Sequence, residues 1–328
     1  MRVLMVGCGA VGQVFGYYLQ KAGVELGFYA RPESAERLND ALDHEGLPVF
    51  QISRSNKRGP VTHHLKDYQV ITDTASSQAF EPDQIWITTP STVLYTPWYR
   101  EFLKEVPSKR VVCFPPEGAQ PEFYPNGGDK NRMVFGLIML IAWQGDLDGG
   151  GGLPGTVNFW LPPFTKIPLV GEENACKEVA DLLRNGGLPT EVKSLSKDKP
   201  NSSPDGLMSS FVSGLDLAGW SFKAYRRSPW LKIAANSARE AAAIYRKTNF
   251  SLSRIVSNVI ASPTSFYLAT IFLPLIFPFN MERYLKFHFT KIREQTLSSM
   301  ERDIKVGVGR GKRVGNLEVL LKGRQNIG

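Results

Sequence analysis

A glycine-rich turn directly after the first apolar run constrains this chain more than any other feature. Residues 3–6 read Val-Leu-Met-Val, which is typical of a strand buried on both faces. Gly7, Gly9 and Gly12 follow in the spacing Gly-x-Gly-x-x-Gly, and residues 10–21 then show a helical pattern. Glycines so placed permit a tight turn, the approach of a pyrophosphate to the backbone, and close packing of helix on strand. This order predicts a Rossmann-type dinucleotide-binding unit rather than a merely structural turn.

The start of that helix should face the phosphates of the dinucleotide. Its free N–H groups and the positive end of its dipole favour an anion there. The predicted cofactor-binding residues of this turn are Gly7, Cys8, Gly9, Ala10, Val11 and Gly12.

A second signal lies at the end of the next predicted strand, residues 24–30. NAD-binding proteins carry an acidic residue at this point, which accepts a hydrogen bond from the ribose 2′-OH. Here the position holds Arg31, and a planar guanidinium suits a 2′-phosphate. The cofactor predicted from this residue is NADP(H). Glu33 keeps NAD(H) open, and a surface arginine at a strand end is the structural alternative.

The periodicity predicts two domains of different class. Residues 1–196 alternate strands with helices and predict a Rossmann-type doubly wound sheet, residues 197–206 read as a linker, and residues 207–328 as a helical domain for substrate binding or dimerisation. The predicted later strands of the first domain are 84–89, 110–114, 133–143, a hairpin of 156–161 with 166–171, and 190–195. The predicted helices of the second are 207–226, 229–248, 252–261, 263–277, 281–306 and 316–322.

Composition narrows the class of partner and compartment. The 328 residues carry a formal net charge of +8, but the basic residues are scattered, so we expect anionic small molecules rather than nucleic acid. Cys8, Cys113 and Cys176 lie far apart, which fits a reducing cytoplasm. The pair His63-His64 has no companion ligands, so no metal is predicted. The first strand begins at once, which we take to leave no room for a signal peptide.

One apolar segment raises the question of a membrane. Residues 266–279 are apolar but contain Pro274 and Pro278, and the segment is shorter than the ~20 residues of a spanning helix. We expect a buried helix, or an apolar wall facing a pocket or a partner subunit, and no membrane contact. A homodimer through the helical domain and a peripheral membrane contact remain alternatives.

With these features the chain resembles the ketopantoate reductase family of NADPH-dependent reductases. The likeness rests on the opening GCGAVGQVFGYYLQKAG of residues 7–23 with Arg31, on the domain order, and on residues 230–236, Trp-Leu-Lys-Ile-Ala-Ala-Asn. In the family this last stretch is a helix whose lysine is the catalytic acid and whose asparagine contacts substrate. The resemblance therefore implies these two roles for Lys232 and Asn236.

Departures from the family pattern bear on the substrate. Glu117-Gly118 stands where the family has Asn-Gly, Pro90-Ser91 replaces a cofactor-contacting lysine, and Glu240 replaces a second asparagine. No carboxylate stands at residues 310–313, where the family has a substrate-binding glutamate. We therefore expect an NADPH-dependent reductase of a different carbonyl or imine. The alternatives are a genuine 2-dehydropantoate 2-reductase and a non-catalytic NADP(H)-binding sensor or regulatory protein.

Hydride transfer to a carbonyl needs a proton donor near the developing alkoxide. Lys232, Asn236 and Glu240 recur at four-residue spacing, so they project from one face of a helix. We assign them, with Glu117, as candidate catalytic residues. A solvated helix face is the structural alternative for the first three, and a turn role is the alternative for Glu117. Loops after the later strands should also reach the cofactor, which adds Thr89, Pro90 and again Glu117.

Overall fold

The computed structural model describes residues 1–54, 59–115, 123–124, 130–147, 156–193, 204–245 and 257–327. The chain divides into two compact units, Met1–Ser196 and Lys197–Gly328. The predicted linker lies outside the described residues up to position 203. Its last three residues form the first turn of a helix instead, since that helix begins at Pro204.

The first unit is built of strands and helices in alternation. Its strands are β1 (Arg2–Val6), β2 (Glu25–Tyr29), β3 (Leu47–Gln51), β4 (Val61–Leu65), β5 (Tyr68–Ile71), β6 (Gln84–Ile87), β7 (Arg110–Cys113), β8 (Met133–Gly136), β9 (Ile141–Gln144), β10 (Val157–Trp160), β11 (Ile167–Gly171) and β12 (Thr190–Lys193). Its α-helices are α1 (Ala10–Lys21), α2 (Pro32–Leu42), α3 (Thr74–Ala79), α4 (Pro97–Glu105) and α5 (Glu173–Asn185), and short 3-10 helices lie at Ser91–Tyr95 and Lys130–Arg132.

Eight strands form the main sheet in the order β12-β11-β8-β7-β6-β1-β2-β5. All neighbours in it are parallel except β8 and β11. β1 lies between β2 and β6 and is buried along almost its whole length, which explains its uninterrupted apolar sequence. The predicted doubly wound sheet is confirmed, and the glycine turn leaves it at the carboxyl end of a central strand.

A second, four-stranded sheet in the order β4-β3-β10-β9 was not predicted. The single strand predicted for residues 133–143 is wrong, because β8 belongs to the main sheet and β9 to the small one. The chain leaves the main sheet after Gly136, where a Cβ would lie 2.6 Å from the ring of Phe114. The two halves of this apolar run are thus buried in different sheets.

The predicted hairpin of residues 156–161 and 166–171 is also wrong. β10 pairs with β9 and β3 in the small sheet, whereas β11 pairs with β8 and β12 in the main sheet. Two adjacent apolar runs have the sequence pattern of a hairpin, but each pairs with strands of a different sheet.

Helix α1 lies between the two sheets. Phe15 stacks on Phe114 of the main-sheet side at 4.5 Å between ring centroids. On the other side Tyr17 stacks on His63 of β4, and Tyr18 meets Phe159 of β10 edge to face. The helix that begins at the glycine turn is therefore held on two sides.

The second unit is helical, as predicted. Its helices are α6 (Pro204–Leu217), α7 (Phe222–Arg227), α8 (Trp230–Ile244), α9 (Pro263–Ile276), α10 (Met281–Lys291), α11 (Arg293–Gly309) and α12 (Gly315–Gln325). Residues 257–260 are also helical, and the earlier part of the helix predicted for 252–261 lies outside the described residues.

Two long predicted helices are each broken in the structure. The helix predicted for 207–226 ends at Leu217, and Gly219 and Trp220 then adopt positive φ. The helix predicted for 281–306 breaks at Ile292, which leaves the helical region between α10 and α11. Helical periodicity continues across both breaks, so it does not reveal them.

Small side chains let α6 and α8 approach closely. A Cβ on Gly206 would lie 2.7 Å from that of Ala241, and one on Gly214 would lie 2.8 Å from that of Ala234. The hydroxyls of Ser210 and Ser237 are 3.0 Å apart at the same interface. This packing buries the alanine face of α8.

Candidate functional site

The glycine turn has the geometry that its spacing predicts. Gly7 adopts φ +105°, a region that disfavours every residue with a side chain. Its N–H donates to Tyr29 O at 3.3 Å, which ties the turn to the end of β2. The turn is thereby fixed at the point where β1 and β2 both end.

Gly9 and Gly12 have opposite surroundings. A Cβ on Gly12 would lie 2.2 Å from the carbonyl oxygen of Gly7 and 2.8 Å from Oγ1 of Thr88. A Cβ on Gly9 would meet no atom of the described residues within 4 Å. Gly12 is therefore required by packing, whereas the space beside Gly9 is open to a ligand that approaches the backbone.

The first turn of α1 presents unpaired backbone donors. Gly9 is the N-cap, no side chain of the described residues caps this end, and the first turn holds no acidic residue. The N–H groups of Ala10, Val11 and Gly12 have no partner within an α-helix at these positions. A helix start of this kind is suited to a phosphate.

The end of β6 lies against the glycine turn. Oγ1 of Thr88 donates to Gly7 O at 2.8 Å, and Cγ2 of Thr89 lies 3.0 Å from the position of a Cβ on Gly7. Oγ1 of Thr89 is buried and has no hydrogen-bond partner within the described part of the chain. Pro90 follows and is exposed. The structure thus brings Thr89 and Pro90 to the same edge as the turn.

Arg31 lies beside this edge as well. It comes two residues after Tyr29, which is the register partner of Val6 in β1. It is the N-cap residue of α2, and its backbone carbonyl accepts from Ser34 and Ala35. Its side chain is exposed and forms no ion pair within the residues that the structure describes. Glu33 is exposed in the first turn of the same helix.

Two polar residues of this edge were not singled out from sequence. Thr88 fixes the carbonyl of Gly7 through its hydrogen bond. Gln13 is fully buried and its Nε2 donates to Cys8 O at 2.8 Å, which holds the turn from inside. Its position directly after Gly12, amid apolar residues, is the one sequence signal that could have indicated this role.

The three candidate residues on α8, Lys232, Asn236 and Glu240, have different environments. Lys232 is exposed and Asn236 half-buried, and neither side chain bonds to any described residue. The carboxylate of Glu240 instead accepts from the backbone N–H groups of Asn316 and Leu317 at 2.8 and 3.1 Å, and from the Asn316 amide. Glu240 therefore caps α12, a role that the sequence did not indicate. Its catalytic assignment stays a prediction.

Glu117 and the pair His63-His64 are the remaining candidates from the sequence. Glu117 lies outside the described residues. His63 contacts Oη of Tyr17 at 3.0 Å and Oε1 of Gln51 at 3.2 Å, so both its ring nitrogens are used. Among the residues described, no group of three or more His, Cys, Asp or Glu side chains is arranged to hold a metal ion.

Comparison with known proteins agrees with the resemblance given by the motifs. The family model described as Ketopantoate reductase PanE/ApbA matches residues 3–95, which include the glycine turn, Arg31 and the end of β6. The predicted resemblance is confirmed for this segment. A search of curated proteins finds no match to the chain.

Solved structures match over the whole chain. A 2-dehydropantoate 2-reductase from Geobacter metallireducens GS-15 is 15% identical with a TM-score of 0.64, covering 100% of both chains. A PanE/ApbA family ketopantoate reductase from Ralstonia eutropha JMP134 is 15% identical with a TM-score of 0.66, covering 99% of this chain and 98% of the other. A D-mandelate dehydrogenase in complex with NADH is 15% identical with a TM-score of 0.59, covering 98% and 97%. At these identities the likeness establishes the fold.

Proposed function

We propose that this chain is an NADP(H)-dependent oxidoreductase that reduces a carbonyl or imine substrate other than ketopantoate by hydride transfer. The observation that carries the proposal is the open space beside Gly9 at an uncapped helix start. A pyrophosphate can approach the backbone there and accept hydrogen bonds from the first turn of α1. The fold shared with solved 2-dehydropantoate 2-reductases and a D-mandelate dehydrogenase supports the same class of reaction.

The preference for NADP(H) rests on Arg31. Arg31 follows Tyr29, which bonds to Gly7, and its exposed guanidinium has no carboxylate paired to it in the described chain, so it is available to a 2′-phosphate. A charge-assisted pair of this kind contributes roughly 1.5–3 kcal/mol. Glu33 on the same helix turn would favour a ribose hydroxyl, so the two cofactors must be compared directly.

Fluorescence titration with NADPH and NADH tests the cofactor. We expect Arg31→Ala to weaken NADPH binding by about tenfold or more, which is at least ~1.4 kcal/mol, and to leave NADH binding unchanged. Arg100→Ala, which removes an exposed arginine of α4, is the matched control and should change neither. Equal affinity of the native chain for NADH and NADPH would contradict the preference.

The proton donor proposed for the reduction is Lys232. Bound NADPH supplies the hydride. Lys232 would give its proton to the developing alkoxide, and Asn236 would orient the substrate oxygen through its amide. Both side chains are free of other described partners, as such roles require. Glu240 caps α12, so we propose that it positions that helix, and its catalytic role stays a prediction.

A screen of carbonyl compounds that follows the loss of NADPH absorbance tests the activity, with ketopantoate included. Once a substrate is found, Lys232→Ala should lower kcat by roughly 10²–10⁴ and leave NADPH affinity unchanged. Lys305→Ala, an exposed lysine of α11, is the control. Turnover of ketopantoate above all other compounds would overturn the substrate part. Tight NADPH binding without any turnover would favour the non-catalytic alternative.

A further inference from the structure

Helix α9 leaves a broad apolar face uncovered. Six large side chains on it are between 37% and 58% exposed, namely Tyr267, Leu268, Ile271, Phe272, Leu275 and Ile276. These residues, called the α9 face below, cover about half of the helix circumference over a length of about 15 Å. A contiguous apolar surface of this size on a folded chain marks a site of interaction.

Of the two expectations for residues 266–279, the buried helix is therefore wrong, and the apolar wall facing a pocket or a partner subunit is untested. Of the residues in α9, only Phe266 and Thr270 are buried. Residues 255–281 contain no charged side chain, so no charge interrupts the apolar surface from within. Among the described residues no single helix is long and apolar enough to cross a membrane, and α9 with α10 pass such a test only as a pair bent by 108°.

The helices beside α9 are basic. Arg226 of α7 donates to Thr270 O at 3.2 Å and lies 6.0 Å from the ring centre of Tyr267, which fixes α7 against α9. The same short helix carries Lys223 and Arg227, both exposed. Positive charge thus adjoins the apolar surface on the α7 side.

α10 follows α9 in the chain after the bend. It exposes Phe287 together with Lys286 and Lys291. Its one acidic residue, Glu282, accepts a hydrogen bond from the backbone N–H of Phe222. The four cations Lys223, Arg227, Lys286 and Lys291 form no ion pair within the part of the chain that is described, and are called the basic rim.

We infer that the α9 face and the basic rim together form a docking surface for an anionic lipid bilayer. Apolar side chains on a helix that lies in the plane of a membrane enter the boundary between headgroups and acyl chains, and neighbouring Lys and Arg side chains pair with anionic headgroups. An apolar centre with cations beside it matches that surface in both polarity and charge.

Charge also argues against a second copy of this chain as the occupant. A two-fold interface places the same patch on both subunits, so it gathers the cations of both basic rims at one interface. Like charges facing one another across an interface disfavour association. A bilayer rich in anionic lipid offers the opposite charge over the same apolar area.

Co-sedimentation of the purified chain with vesicles tests the surface. Vesicles of phosphatidylcholine alone are compared with vesicles that also contain phosphatidylserine. We expect binding to the mixed vesicles and at least tenfold weaker binding to phosphatidylcholine alone. Phe272→Glu, Phe272→Ser and Lys286→Glu should each lower the binding to mixed vesicles at least tenfold.

Two matched variants control for the charge and for the loss of an apolar side chain. Val319→Glu changes a residue of α12 that is 48% exposed, against 50% for Phe272. Lys312→Glu reverses a charge in the connection between α11 and α12. Both should bind mixed vesicles as the native chain does, and unchanged melting curves show that all variants are folded.

Three results would overturn the inference. In the first, Lys312→Glu and Lys286→Glu weaken binding equally and Phe272→Glu leaves it intact. Such binding is diffuse electrostatic attraction. The same affinity for both kinds of vesicle removes the role of the basic rim. In the third, the native chain does not bind vesicles, and light scattering shows a dimer that Phe272→Glu dissociates. This result assigns the α9 face to a second copy.

Discussion

At the scale of single residues, Gly9 and Gly12 have different roles, because Gly12 is required for packing and Gly9 leaves room for a ligand. Gly9 has φ −72°, which any residue can adopt, and open space where its Cβ would be. Gly12 has no such space, because the carbonyl of Gly7 and Thr88 Oγ1 lie within 2.8 Å of that position. The same substitution at the two sites should therefore have different effects.

We predict that Gly12→Ala lowers the free energy of unfolding by about 1–3 kcal/mol through overpacking. Gly9→Ala should leave the free energy of unfolding unchanged to within about 0.5 kcal/mol and weaken NADPH binding, since its methyl group enters the space proposed for the pyrophosphate. Urea denaturation and fluorescence titration measure the two quantities. Native affinity for NADPH in Gly9→Ala would place the cofactor elsewhere.

A second prediction at this scale concerns Asp303, a buried carboxyl of α11. Burial raises its pKa above the ordinary value, while the hydroxyl of Tyr245, which donates to Oδ1 at 2.6 Å, opposes that shift. A raised pKa in the folded state means that folding favours the protonated form. The stability it contributes is thus present at acid pH and lost as the pH rises through the folded-state pKa.

We expect Asp303→Asn to raise the urea midpoint above that of the native chain at neutral pH, and this gain to shrink toward pH about 4. The amide oxygen still accepts from Tyr245, so the packing is kept. Tyr245→Phe removes the donor and should lower the neutral-pH midpoint instead. Equal midpoints of Asp303→Asn and the native chain at every pH would show that burial does not disfavour the charge.

At the scale of elements, the cap of α12 is the clearest case of a contact between distant segments. Glu240 on α8 accepts from two backbone N–H groups at the start of α12. No side chain of α12 or of its N-cap residue Val314 takes this role. The two helices are joined by this carboxylate.

We predict that Glu240→Ala costs about 1–2 kcal/mol in free energy of unfolding, because it removes the acceptor of the cap. Glu318→Ala, an exposed glutamate in the first turn of α12, is the control and should change stability by less than about 0.5 kcal/mol. Chemical denaturation followed by circular dichroism measures both. A loss of turnover much larger than the loss of stability would return Glu240 to the catalytic candidates.

Several strands and helices show what sequence patterns do not predict. The strand predicted for residues 133–143 and the hairpin of 156–161 with 166–171 are each divided between two sheets, since an apolar run reports burial but not the surface that buries it. The breaks at Trp220 and Ile292 interrupt helices whose periodicity continues beyond them. Positive φ at a tryptophan has no sequence signature.

At the scale of the whole molecule, the cysteines offer a reporter of the cofactor-binding unit. Cys8, Cys113 and Cys176 all belong to the first unit, and all are buried free thiols. Burial raises the pKa of Cys113 to about 12 and that of Cys176 to about 11. Reaction with a thiol reagent requires the thiolate and access to it, so it requires that unit to open.

We predict that NADPH at about 100 times its dissociation constant slows thiol labelling of the native chain by about 100-fold, because binding stabilises the closed form by ~2.7 kcal/mol. Labelling kinetics under native conditions measure the effect. Gly9→Ala at the same NADPH concentration should be protected less. Undiminished labelling of the native chain at saturating NADPH would show that the cofactor does not bind the first unit.

The glycine turn, the central parallel strands and the helical character of the second unit are all predictable from the sequence. These depend on contacts between residues close in the chain and on the burial pattern of each segment. Arg31 could also be placed, since the position after β2 is defined relative to the turn. Three features are visible only in the folded chain: α1 lies between two sheets, Glu240 caps a helix 76 residues further on, and α9 is exposed. Which surface buries an apolar side chain, and which donor meets a carboxylate, depends on segments far away in sequence.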